Sequence, residues 1–107
     1  FDGPGDQWSP ESLLMAAAAS CFALTFRAIA RASKLEWLHL ECASHGTLER
    51  SGKGLQFTRI VTHVHLTVPV ATSIEACRRT LEKAERDCLV TNSLRAEGEL
   101  KLKILTR

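Results

Sequence analysis

The residues best suited to chemistry in this sequence are its four cysteines, Cys21, Cys42, Cys77 and Cys88. None stands in a C-x-x-C, so a zinc ribbon or a thioredoxin-like site has no support and no metal is expected. What they can offer is thiolate attack and disulfide formation. Cys77 and Cys88 are expected on one helix, 11 residues apart. At about 1.5 Å per residue that is roughly 16 Å, beyond disulfide reach. Cys42, alternating among leucines, and Cys77, on an apolar stripe, read as packed core residues. Cys88 falls at the last turn of its helix, before Leu89-Val90-Thr91-Asn92-Ser93, where the chain loosens and a thiol can move. Cys21 lies in the small-residue run Ala16-Ala17-Ala18-Ala19-Ser20-Cys21, which lets another backbone or a ligand come close. By spacing alone a Cys21/Cys88 pair is about one choice in six, and plain packing is the preferred reading.

His63 and His65 share a strand face, as paired zinc ligands can. No third ligand joins them at a persuasive spacing, so a solvated strand face is the preferred reading.

The elements that position these side chains follow from punctuation and period. Phe1-Asp2-Gly3-Pro4-Gly5-Asp6 reads as a loop. Ser9-Pro10-Glu11 starts a helix: serine caps the free N–H groups, proline suits the first turn, and a carboxylate suits the positive end of the dipole. That helix should run to about Ser33, apolar on nearly every side from Leu13 to Ile29, and therefore buried all round. Trp37 to Leu48 alternates, with Leu38, Leu40 and Cys42 on one face. A turn at Ser51-Gly52-Lys53-Gly54 leads to a second strand in which Ile60, Val64, Leu66 and Val68 share a face, completing a β-hairpin. Thr72-Ser73-Ile74-Glu75 has the form of a capping box. Behind it Ile74, Cys77, Leu81, Ala84 and Cys88 form one helical stripe. Leu100, Leu102 and Ile104 then alternate along a final strand. The order α-β-β-α-β predicts a single α+β domain over residues 1–107. Three strands and one amphipathic helix are too little cover for the first helix, so a homodimer is expected to complete the fold.

Composition narrows the function classes. The chain has 107 residues, 45% of them hydrophobic and 24% charged, with a net charge of +2. These are globular proportions, and the charge is too balanced to advertise a nucleic-acid surface. The apolar run Leu13–Phe26 spans 14 residues and is closed by Arg27 and Arg31, short for a bilayer. No basic-then-apolar leader precedes it, and a cytoplasmic location is expected. The first residue is Phe1, as in a processed or truncated chain.

Two segments carry a resemblance to a known family. Ser9-Pro10-Glu11-Ser12-Leu13-Leu14-Met15-Ala16-Ala17-Ala18-Ala19-Ser20-Cys21-Phe22 resembles the P-E-x-L-L-x-A-A…-S-C-F helix of the OsmC/Ohr family. Ala84-Glu85-Arg86-Asp87-Cys88-Leu89-Val90-Thr91-Asn92-Ser93-Leu94 resembles its second-cysteine segment, C-x-x-[ST]-N-S-L. The resemblance implies an OsmC-like fold lacking the family's N-terminal strands, and a homodimer with active sites at the subunit interface. It implies a cysteine-based reductase of organic hydroperoxides, regenerated by a dithiol such as dihydrolipoamide, with no cofactor. In that scheme Cys21 matches the peroxidatic cysteine, Cys88 the resolving one, and Glu11 the carboxylate that holds a catalytic arginine. The family's arginine precedes the region matched by Phe1, so no arginine of this sequence is assigned to it. Leu89 also stands where one branch of the family carries proline.

The chemistry suits these residues. Thiolate attack on the O–O bond leaves a sulfenic acid, which a second thiol condenses to a disulfide. A cysteine in an apolar helix has a raised pKa, so a nearby cation is expected to offset the burial. Leu14, Phe22 and Trp8 are the candidate contacts for a bulky peroxide. Glu11 is about 15 Å up the helix from Cys21, so it is expected to act through an arginine or on the other subunit's site. The competing reading is a non-catalytic OsmC-like dimer that binds an apolar ligand.

Overall fold

The computed structural model describes residues 9–52 and 54–107. The expected opening loop, Trp8 and Lys53 of the turn lie outside the described residues. Ser9 caps α1 (Pro10–Ser33) by accepting the Ser12 N–H at 3.1 Å, with Pro10 in the first turn and Glu11 beside it. The helix stops at Lys34, a left-handed residue whose N–H reaches back to the Ala30 and Arg31 carbonyls. The start and end agree with the reading of the sequence.

Two long strands follow, β1 (His39–Ser51) and β2 (Gly54–Val68), paired antiparallel with a register irregularity between Thr47 and Leu48. A Cβ on the neighbouring Gly46 would overlap the Phe57 ring, so glycine there lets the ring lie across the hairpin. Leu40 and Cys42 face inward as expected, whereas Leu38 precedes β1 and is exposed. Ile60, Val64, Leu66 and Val68 are buried along β2, and Thr62 in the same row hydrogen-bonds Ser44 at 2.8 Å. Next come α2 (Ile74–Arg86), a single turn α3 (Leu89–Asn92), and β3 (Glu97–Thr106). β3 runs parallel to β2, giving the sheet order β1-β2-β3. Such a parallel pairing needs a crossover, and α2 supplies it. The fold is therefore α+β, with helices on the inner face of a three-stranded sheet.

The core joins Phe22, Phe26 and Ala30 of α1 to Val64, Leu66 and Val68 of β2 and to Cys77, Leu81 and Ala84 of α2. Trp37 closes one end, its ring edge-on to Phe26 with centroids 5.6 Å apart.

Several expectations need correction. α1 is not buried all round: Ala18, Phe22, Phe26 and Ala30 form one buried stripe, while Leu13 and Leu24 are 56% and 61% exposed. One chain's sheet and α2 reach only one side of the helix. The 14-residue count also understates it, because α1 has 24 residues and an 18-residue window of mean hydropathy 1.8. Its length would allow a bilayer crossing; its buried stripe packs on protein instead. The cap of α2 is Ser73, accepting the Ala76 N–H at 3.1 Å. Thr72 is taken up in a turn, donating its N–H to the Pro69 carbonyl at 2.9 Å. Cys88 lies beyond α2, which Asp87 ends, so Cys77 and Cys88 do not share a helix.

Candidate functional site

Cys21 lies midway along α1, on the side facing the corner between α2 and α3. Cys88 is that corner: its backbone is extended, and it precedes the first residue of α3. The expected loose thiol is instead buried, with Cys88 only 1% exposed, and its Sγ stands 3.9 Å from the Ala18 carbonyl. The turn Leu89–Asn92 folds back and drives the side chain into the core. Thr91 Oγ1 donates to the Cys88 carbonyl at 3.3 Å, and the Asn92 side-chain amide to the Arg86 carbonyl at 2.7 Å, so the corner is tied on both sides.

Cys88 and the first residues of α3 are the groups that bear on the Cys21 thiol. Burial raises the Cys21 thiol, but the Val90 N–H, the Cys88 thiol, the Leu89 N–H and the Thr25 hydroxyl together outweigh it. The net result is a Cys21 thiol held below its ordinary value. Thr25 also donates to the Cys21 carbonyl at 2.7 Å. The expected cation is thus not what lowers Cys21 here; neutral donors do it, two of them backbone. Of the remaining cysteines, Cys77 is buried in the core and Cys42 is half-buried against it. Burial pushes Cys42 up to about 11 and also raises Cys77.

Glu11 is not brought to Cys21 or Cys88. It borders a groove of about 510 Å³ between α1 and β1, whose lining includes Met15, Cys42, Leu48 and Phe57 but neither Cys21 nor Cys88. Leu14 is half-buried on α1. Phe22 is buried in the core, where it borders a cavity of about 10 Å³ beside Cys88, room for no more than one water. His63 and His65 are exposed on the outer face of the sheet, and the ring beside His63 is that of His45, 5.4 Å away between centroids.

The family of OsmC-like proteins matches residues 3–103. The chain belongs to this family. Its relatives include YmaD of Bacillus subtilis, 26% identical over 105 residues, which cover 95% of this chain and 70% of that protein. Among solved structures, an OsmC-like protein of Vibrio cholerae superposes with a TM-score of 0.78 at 22% identity, over 88% of this chain and 63% of the other. An organic hydroperoxide resistance protein, OsmC, of Legionella pneumophila gives 0.75 at 23% identity, over 97% and 74%. The chain thus spans less than two-thirds of the Vibrio protein. The OsmC-like fold expected from the two motifs is the fold found.

Sequence reasoning missed three features of the site. The N–H donors of Leu89 and Val90 belong to the backbone, so no residue type announces them. Thr25, four residues after Cys21, was a legible signal: a hydroxyl one helical turn away is a neighbour by period. Glu85, three residues before Cys88, lines the small cavity beside it.

Proposed function

We propose that this OsmC-like chain reduces organic hydroperoxides, with Cys21 as the attacking thiol and Cys88 as the resolving one. The observation that supports this most directly is the Cys21–Cys88 contact, with Cys21 biased toward thiolate. Cys21 thiolate attacks the outer peroxide oxygen, the O–O bond breaks, and the alkoxide takes a proton to leave as alcohol. Cys21–SOH and Cys88–SH then give the disulfide and water. A dithiol, of lipoyl type, reduces that disulfide by two exchange steps and leaves as its own disulfide. No cofactor enters.

The working unit is a homodimer in the cytoplasm. The exposed Leu13 and Leu24 on α1 support this, since burying each such side chain contributes about 1.5–3 kcal/mol. Within one chain Glu11 stands away from the thiols, so it serves the site of the partner subunit, where it orients an arginine. Leu14, half-buried on α1, supplies apolar surface that favours alkyl and aryl peroxides. Neither a membrane nor nucleic acid is a partner.

The groove between α1 and β1, of ligand-sized volume, favours a second reading, a non-catalytic module for an apolar ligand. Turnover separates the two. With dihydrolipoamide as reductant, cumene hydroperoxide should be consumed faster than hydrogen peroxide, and C21S should abolish consumption. No consumption by wild type would leave the binding reading, and equal consumption by C21S would remove Cys21 from the reaction.

A further inference from the structure

Disulfide formation requires the buried Cys88 to lose a proton, and the resolving step does not say where that proton goes. Glu85 lies on the inner side of α2, half-buried, and lines the cavity of about 10 Å³ that Cys88, Ala18 and Phe22 also line. The same glutamate lines an open groove of about 350 Å³ with Arg86, Asn92 and Leu94. Thr91 and Gly98 border both spaces. Glu99 also lines the cavity at the thiol, but Glu85 is the carboxyl that borders both that void and the open groove. Gly98 of β3 lies beside this carboxyl: a Cβ there would stand 3.8 Å from Glu85 Oε2, in ordinary contact.

The geometry points to Glu85 as the group that takes the Cys88 proton, directly or through one water, and releases it to the groove. This rests on the resolving role of Cys88 given above. The balance is Cys21–SOH plus Cys88–SH giving Cys21–S–S–Cys88 and H2O. Glu85 accepts the thiol proton as the S–S bond forms and passes it to the groove, while the departing hydroxide takes a proton from solvent to leave as water. The charged groups around the carboxyl are Glu82 and Arg86 on α2 and Glu99 on β3, the last paired with Arg59 and Lys101. Burial first, then the charges of Glu82 and Glu99, raise Glu85 above the ordinary carboxylate range. That brings its basicity closer to that of a thiol, as proton transfer requires. Because it acts through Cys88, Glu85 is a positioning and proton-transfer residue for that thiol.

The test compares wild type, E85Q and E85D by stopped-flow measurement of Cys21–Cys88 disulfide formation between about pH 6 and pH 9, with cumene hydroperoxide in one arm and glutathione disulfide in the other. In the second arm Cys21 first forms a mixed disulfide, Cys88 displaces glutathione thiolate, and its proton must still leave. E85Q should be about tenfold or more slower near pH 6–7 in both arms, converging on wild type toward pH 9, with E85D partly restored. A rate in E85Q equal to wild type, or a loss that is uniform across pH, would overturn the proposal. If wild type reacts with glutathione disulfide but not peroxide, the peroxidase reading fails while the glutathione arm still decides Glu85.

Discussion

Cys88 packs against α1 one turn before Cys21, its Sγ 3.9 Å from the Ala18 carbonyl, and its thiol helps hold the Cys21 thiol below its ordinary value. The approach depends on three local choices. Ala18 supplies a small surface one turn before Cys21, Asp87 ends α2, and α3 begins at once, so that the Leu89 and Val90 backbone helps lower the Cys21 thiol.

The backbone donors can be tested one at a time. Leu89 is the first residue of α3, where proline fits because that N–H has no partner within the helix. Cys88 before it is already extended, as a residue preceding proline must be. L89P should therefore fold normally but remove one donor to Cys21. The Cys21 thiol should titrate higher than in wild type, read as an alkaline shift in its alkylation profile with iodoacetamide.

The thiols should separate by reactivity. Alkylation requires thiolate, Cys21 is lowered, and Cys42 is pushed up to about 11. Brief iodoacetamide treatment of the native reduced protein near neutral pH should label Cys21 well ahead of Cys42 and Cys77. Mass spectrometry of the peptides reads the order. Preferential labelling of Cys42 would contradict the assignment of the reactive thiol.

The uncovered side of α1 predicts assembly. Leu24→Glu places a charge where the proposed partner buries a leucine, and desolvating that charge costs several kcal/mol. Light scattering should find a dimer for wild type and a monomer for the variant. Because Leu24 is exposed in the single chain, the fold itself should persist by circular dichroism.

Glu85 gives a stability prediction with a definite sign. Its folded-state pKa is raised by burial and by Glu82 and Glu99, so the fold prefers the protonated form. Whatever stability the carboxyl lends is present below its unfolded pKa and is lost as pH rises through the folded value. E85Q should thus raise Tm relative to wild type near neutral pH and lose that advantage in acid. A higher Tm with slower disulfide closure is the pattern expected of a group placed for chemistry.

Much of this was legible in the sequence where local physics decides. Ser9, Pro10 and Glu11 placed the start of α1, and alternation placed the hairpin and β3. The cysteine pair was legible only through the motifs around Cys21 and Cys88, since spacing left it among several choices. The stripe from Cys77 to Cys88 pointed to the buried side, but the break at Cys88 was not legible, because Asp87 ends α2 one residue before it and α3 has no side-chain cap to announce it. The extent of cover over α1 was overstated, because an all-round apolar helix records every neighbour it will have, including those outside one chain's sheet. Ser73 displaced Thr72 as a cap because two adjacent hydroxyls compete and the preceding turn decides.

The central claim is that Cys21 and Cys88 form one redox unit. Reduced protein exposed briefly to one equivalent of cumene hydroperoxide is digested without reduction and mapped by mass spectrometry. The account predicts a Cys21–Cys88 cross-linked peptide within minutes, and in C88S a Cys21 sulfenic acid trapped by dimedone. Both thiols remaining free in folded, dimeric protein would contradict it.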